Sequence, residues 1–248
     1  MDSYGEFALL YDDLMDDFDY VSWSRYIQDI LTRKGFGEVS ILEMACGTGN
    51  LTKELLNLGY KVDAFDLSHE MLAIANNKLA NYKNKRLFKM DMKEFKLDRK
   101  YEAVISACDS INYILDEESL KNTFTNVFNH LEDGGIFIFD INSEYKLREI
   151  LGNNIFIEDR EDVFYTWENQ FQDETGICEF FLTFFQWTKG NDYRRFDEHH
   201  RERAYKVETV KRILGEVGFH EIEAYEAFSF KDVEDKSERI NFVAKKFK

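Results

Sequence analysis

Proline is absent from all 248 residues. Turns must therefore rely on Gly, Asn and Asp rather than on a ring-locked φ. Cysteine is scarce. Cys46, Cys108 and Cys178 lie far apart and in no metal-ligand spacing, so no metal site is expected. A reducing, cytoplasmic setting fits this usage. There is no N-terminal apolar run and no long uncharged stretch, so neither a signal peptide nor a membrane span is expected. Basic residues are in deficit, 32 Lys and Arg against 48 Asp and Glu, for a formal net charge of −16. Such a field opposes a nucleic-acid backbone, although a local basic patch stays compatible with it. Repeats, linkers and low-complexity segments are missing too. What is present is apolar: 44% hydrophobic and 16% aromatic residues exclude global disorder. The length suffices for one large domain, or a domain plus an insertion.

The most informative stretch is 41–52. A short apolar run, Ile41-Leu42, ends in Glu43, and a small-residue turn, Ala45-Cys46-Gly47-Thr48-Gly49, leads into a helical pattern. Gly47 and Gly49 lack a Cβ, which lets backbone approach a nucleotide closely. The next strand, 61–65, ends at Asp66, where a carboxylate can accept from both ribose hydroxyls. A nicotinamide or flavin dinucleotide pattern would need a third glycine at position 52, which is Thr52. Glu43 would also repel a pyrophosphate, whereas it suits a cation.

Along the chain, Asp19 reads as the N-cap of a helix to about Lys34. Strands at 41–45, 61–65, 86–90, 101–107 and 136–141 alternate with helices at 50–58, 68–80 and 117–131. That alternation implies a parallel sheet with helices on both faces. Ligands bind outside the carboxyl ends of such strands, where Glu43, Asp66, Asp91, Asp109 and Asp140 fall. Beyond 150 the pattern changes. Residues 155–205 read as long antiparallel strands, with turns at 173–176 and 189–192. Their alternation puts Arg195, His199, Arg201 and Arg203 on one face. A helix near 206–217 and strands near 221–228 and 239–247 close the chain. His130 is expected at a helix C-terminus, where its partial charge suits the dipole.

The motif Glu43-x-Ala45-Cys46-Gly47-Thr48-Gly49 with Asp66 resembles the class I S-adenosylmethionine-dependent methyltransferases, over about 35–145. The resemblance implies an α/β fold: a doubly wound, mostly parallel, seven-stranded Rossmann-like sheet with an inserted antiparallel β-element. It divides the chain into a core, 1–150 and 206–248 with an N-terminal helical cap, and an insertion, 151–205, that covers the active site. It implies S-adenosyl-L-methionine as cofactor, held by Glu43, Ala45, Gly47, Gly49, Asp66 and Leu67, by Asp91 and Met92 at the adenine, and by Cys108. The segment with Tyr11-Asp12 and Trp23 resembles the glycine and aminosugar N-methyltransferases, in which such aromatics close over the cofactor. Trp23 also fits the apolar face of a helix.

The acceptor is expected near Ser106-Ala107-Cys108-Asp109-Ser110-Ile111-Asn112-Tyr113. Enzymes that methylate nucleobase amino groups usually carry a Pro-Pro-aromatic motif here, and this chain has no proline. Cys108 reads as a packing residue or, less simply, a thiolate. Candidate catalytic residues are Asp109, Tyr113 and, as general base, His199, with His200 beside it and a solvated strand face as the other reading. The expected reaction is direct displacement of a methyl group onto a nitrogen or oxygen of a small molecule, by a monomer or homodimer. An RNA methyltransferase and a non-catalytic cofactor-binding regulator are the alternatives.

Overall fold

The computed structural model describes residues 7–15 and 18–247. Helix α1 (Phe7–Leu14) precedes α2 (Tyr20–Arg33). Asp19 caps α2, accepting from Ser22 N–H at 2.9 Å. Strand β1 (Ser40–Met44) leads into α3 (Asn50–Asn57), and β2 (Lys61–Asp66) into α4 (His69–Lys78), which Ser68 caps. Then come β3 (Lys85–Lys89), β4 (Tyr101–Ser106), α5 (Glu117–His130) and β5 (Leu131–Asn142). After β6 (Ile155–Asp159), β7 (Val163–Gln172), β8 (Ile177–Lys189) and β9 (Asp192–Arg203), α6 (Val207–Val217), β10 (Phe219–Glu226) and β11 (Arg239–Lys246) complete the chain.

The strands form a seven-stranded sheet, β10-β11-β5-β4-β1-β2-β3, and a four-stranded antiparallel sheet, β6-β7-β8-β9. Within the larger sheet β1 through β5 are parallel, and β11 runs antiparallel to both β5 and β10. This is the doubly wound architecture expected from the alternation. Its central strands are apolar on both faces, as burial on both sides requires. On β5, Ile136 and Ile138 pack with Trp23, Ile27 and Leu55 on one side, while Phe137, Phe139 and Ile141 pack with Phe124, Val127 and Ile213 on the other. Alternation then carries Asp140 and Asn142 to the face of Ile136 and Ile138.

The elements differ from the sequence reading by one or two residues at several ends, and by more at β5 and at two short turns. Strand β5 starts at Leu131 rather than 136, because a register shift opposite Tyr101 and Ala103 accommodates the Gly134-Gly135 pair within the strand. A π-helical turn at Lys146–Leu151 and a 3-10 turn at Ser110–Tyr113 carry no capping signature and were not legible. His130 is buried at the end of α5. Its Nε2 accepts from Leu97 N–H at 3.0 Å, so its Nδ1–H faces the Asn126 carbonyl oxygen at 2.7 Å. Among the described residues no helix is long and apolar enough to cross a membrane.

The ring of Phe124 has no exposed surface and packs against the stacked pair Phe137 and Phe139, with centroids 5.7 and 5.4 Å away. Phe124→Ala should lower the unfolding free energy by about 3–5 kcal/mol through lost transfer energy and a cavity. Asp116→Ala, which removes only the cap bond from Ser119 N–H, should cost about 1 kcal/mol. Urea titration followed by circular dichroism compares the two.

Candidate active site

Strand order reverses between β1 and β4, and a crevice opens at the carboxyl ends there. A cavity of about 470 Å³ fills it, walled by both sheets and by α1. Three non-glycine residues on its wall, Ala45, Cys108 and Asp109, take left-handed φ angles of 52°, 56° and 54°. Such strain persists where the surroundings over-determine the backbone, and here it aims the turns after β1 and β4 at the cavity.

The glycine turn divides its work. Gly47 lines the cavity, and a Cβ there would meet only the Tyr11 ring, at 4.0 Å. Gly49 does not line it. A Cβ on Gly49 would lie 3.1 Å from Leu79 and 3.2 Å from Ala75, so this glycine seats the turn on α4. Direct cofactor contact by Gly49 is therefore corrected to a packing role. Asp66 holds the turn: Gly47 N–H donates to its Oδ2 and Ser68 N–H to its Oδ1, each at 2.8 Å. Burial pushes the Asp66 carboxyl up, against these bonds. Glu43, 2% exposed, has its Oε2 buried with no hydrogen-bond partner. Burial pushes its carboxyl up to about 8, and Asp66 adds repulsion. Leu67, Asp91, Met92 and Cys108 also line the cavity.

Helix α1 closes one side. Tyr11 lines the cavity, and Asp12 accepts from Thr48 Oγ1 at 2.6 Å and Asn50 Nδ2 at 2.9 Å and pairs with Lys78 Nζ at 2.7 Å. Burial alone would raise the Asp12 carboxyl, but these partners outweigh it and hold it low. Phe7 packs on Phe184 of β8 with centroids 5.5 Å apart, and Arg160, between β6 and β7, donates to the Asp13 carbonyl oxygen, so α1 joins the smaller sheet to the glycine turn and α4. Sequence reading named Tyr11 but missed this latch, because Thr48, Asn50 and Lys78 meet Asp12 only in the fold. Trp23 requires a correction. It has no exposed surface, lies in the core with Ile27 and Leu31, and does not reach the cavity. The apolar face of α2 takes it.

The opposite end of the cavity is polar at its floor and aromatic at its roof. Arg239 bridges Asp109 (Nη2 to Oδ1, 2.6 Å) and Asp140, and Asp109 N–H donates to Asp140 Oδ2 at 3.0 Å. Burial pushes Asp140 up, opposed by Arg239. Asp109 and Tyr113 also line the cavity. Burial, with Asp140 next, raises the Cys108 thiol well above its ordinary value, which opposes a thiolate nucleophile.

His199 is not where the sequence reading placed it. It is exposed on the outer face of β9, its ring stacked on Phe181 at 4.7 Å, and it does not line the cavity. Period-two alternation sends the neighbouring residues inward. His200 and Glu202 line the cavity beside Tyr165, Trp167, Phe180 and Phe184. Burial pulls the His200 imidazole down to about 4. In the fold Cys178 lies opposite Glu202 and Phe180 opposite His200, so the pair shares a buried strand face with them. Lys146 and Arg239 were also missed; the first lies in the π-helical turn, and the second gains meaning only opposite its two acids. Among the described residues no group of His, Cys, Asp and Glu is arranged to hold a metal ion.

Comparison with known proteins bears on this site. Residues 41–135 match the methyltransferase domain family. YqeM of Bacillus subtilis (strain 168), designated a methyltransferase, is 34% identical over 247 residues, covering 99% of this chain and 98% of the relative. An S-adenosylmethionine-dependent methyltransferase from Clostridium acetobutylicum ATCC 824 superposes with a TM-score of 0.89 at 41% identity, covering 99% of each chain. The dTDP-3-amino-3,4,6-trideoxy-alpha-D-glucopyranose N,N-dimethyltransferase of Streptomyces venezuelae is 30% identical over 122 residues, 49% of this chain and 50% of the relative.

The elevated Glu43 carboxyl has a consequence for stability. Its proton is bound more tightly in the native state than in the unfolded one, so its contribution is complete below about pH 4.5 and is lost as pH rises toward about 8. Ligand-free protein should therefore melt at falling temperature across that window. Glu43→Gln, which cannot ionise, should flatten the slope by up to about 1.4 kcal/mol per pH unit. Calorimetric melting of both proteins from pH 5 to pH 9 measures the difference, and parallel curves would count against it.

Proposed function

The chain belongs to the class I S-adenosylmethionine-dependent methyltransferases, and on that premise we propose that it methylates a nitrogen or oxygen of a small molecule by direct displacement. The observation that carries this reading is the single cavity itself: the cofactor motif forms one end, and buried polar and aromatic side chains from the smaller sheet form the other. S-adenosylmethionine supplies a methyl group already bonded to a cationic sulfur. The protein then has mainly to align the acceptor and exclude water.

The residues present fit this cofactor. Glu43 offers a buried oxygen without a partner, suited to an ammonium group. Asp66 stands at the end of β2, where its carboxylate can accept from ribose hydroxyls, while the bare backbone of Gly47 allows close approach. Leu67, Asp91 and Met92 suit the adenine end, with Ala45 and Cys108 between the two ends. Tyr11 covers the glycine turn, and its ring can stabilise a sulfonium by cation–π attraction. The smaller sheet, in the segment 151–205, serves as the acceptor cover. Asp109 and Tyr113 remain candidates for touching the acceptor. The Streptomyces relative named for an aminosugar supports an amine on a small ring, and the net charge of −16 weighs against RNA.

Titration calorimetry with S-adenosylhomocysteine tests the site. Asp66→Ala should weaken binding by about 1–3 kcal/mol, because charge-assisted bonds are lost and the Gly47 turn loses its anchor. Unchanged affinity in a folded variant would remove Asp66 from the site. Incubation with methyl-labelled cofactor should leave total RNA unlabelled at physiological salt; incorporation would favour the RNA reading.

A further inference from the structure

Glu202 is 4% exposed, lines the cavity, and comes from the smaller sheet rather than from the cofactor-binding core. Its Oε2 accepts from Asn142 Nδ2 at 2.9 Å, while Oε1 has no hydrogen-bond partner among the described residues. Asn142 is itself fixed. Its Oδ1 accepts from Lys146 Nζ at 3.0 Å, and its backbone is tied to Asn112, whose Oδ1 accepts from Asn142 N–H at 2.9 Å. The carboxyl is therefore held in one orientation by a satisfied network.

The charges around it are unequal. Arg239 is committed to Asp109 and Asp140. Lys146 is the other cation facing Glu202, and burial shifts it toward its neutral form. Asp109 repels Glu202 from the core side, and the Cys178 thiol faces it from β8. Ionised, Glu202 is a negative group without a committed cation. Beside it the cavity wall is aromatic: Tyr165, Trp167 and Phe184, with the Trp167 indole N–H buried and without a hydrogen-bond partner. A buried acid next to such a wall is complementary to a cationic head on a ring-shaped body that offers one hydrogen-bond acceptor.

We propose that Glu202 receives the acceptor as a protonated primary or secondary amine on a ring body and takes up its proton. The proposal rests on the methyltransferase reading and narrows its acceptor to an amine. The arriving ammonium gives one proton to Glu202 Oε1 and keeps a free lone pair. That pair forms the new N–C bond as the S–C bond breaks, and the bonding electrons stay on sulfur. The product leaves as the N-methylated ammonium, and Glu202 gives its proton to solvent, which restores the carboxylate. Burial raises the Glu202 carboxyl well above its ordinary value, which favours its holding a proton given up by an amine. A hydroxyl acceptor would gain nothing from this residue.

Enzyme saturated with S-adenosylhomocysteine is titrated with cyclohexylamine, cyclohexanol and cyclohexanecarboxylate by calorimetry near pH 7. Cyclohexylamine should bind about tenfold or more tightly than either analogue, as a buried charge-assisted contact implies. Glu202→Gln should reduce amine affinity to that of the alcohol while S-adenosylhomocysteine affinity stays unchanged. Equal affinities, a preference for the carboxylate, or an unaltered amine affinity in Glu202→Gln overturns the proposal. If the variant does not fold, wild-type binding of cyclohexylamine no tighter than that of cyclohexanol overturns it. If wild-type protein does not bind S-adenosylhomocysteine, the methyltransferase reading of the cavity fails instead.

Discussion

Asp140 has no exposed surface, and an isolated carboxylate in that position would cost several kcal/mol. Arg239 meets this demand, and in doing so it joins three pieces of chain that are distant in sequence. It stands at the start of β11, Asp140 lies near the end of β5, and Asp109 follows β4 in a left-handed conformation. Removal of the guanidinium would leave a buried acid facing a second acid. The turn after β4 would then lose the bond that aims it at the cavity. The acceptor end depends on this bridge, because Asn142 and Lys146 continue directly from β5.

A comparable economy operates at the cofactor end. One carboxylate, Asp66, ties the Gly47 turn to the start of α4 through two backbone N–H groups. One apolar contact, Gly49 on Ala75 and Leu79, keeps that turn close to the same helix. Asp12 then pins α1 across the turn through Thr48, Asn50 and Lys78. The cavity is thus bounded by short polar links rather than by a thick wall. Links of this kind are local enough to open and close without disturbing the two apolar layers of the larger sheet.

Some buried polar groups without partners lie at or beside the cavity. Glu43 Oε2, Trp167 Nε1 and Asp140 Oδ1 are all buried and unpaired among the described residues. Buried polar atoms are rarely left unsatisfied in a folded protein unless a ligand or water completes them. Glu43 and Trp167 line the cavity at opposite ends, which accords with two ligands meeting between them.

Much of the core was written locally. Strand positions followed from short apolar runs, the start of α2 from Asp19, and the nucleotide turn from two glycines after Glu43. Asp66, Asp91 and Asp109 fell at strand ends, and parallel topology by itself places strand ends at the crevice. Other features depended on which face a side chain takes or on what lies across the fold. Trp23 fitted a cofactor lid and a core face equally well in sequence, and only the packing of α2 on the sheet sent it to the core. Likewise, alternation grouped His199 with Arg195 and Arg201 correctly, yet it could not tell whether that face looks outward. The smaller sheet presents the other face to the cavity, so His200 and Glu202 are the residues delivered there. Sequence determines periodicity because a strand alternates about its own axis; which side is buried is a property of the partner layer, and that exists only in the folded chain.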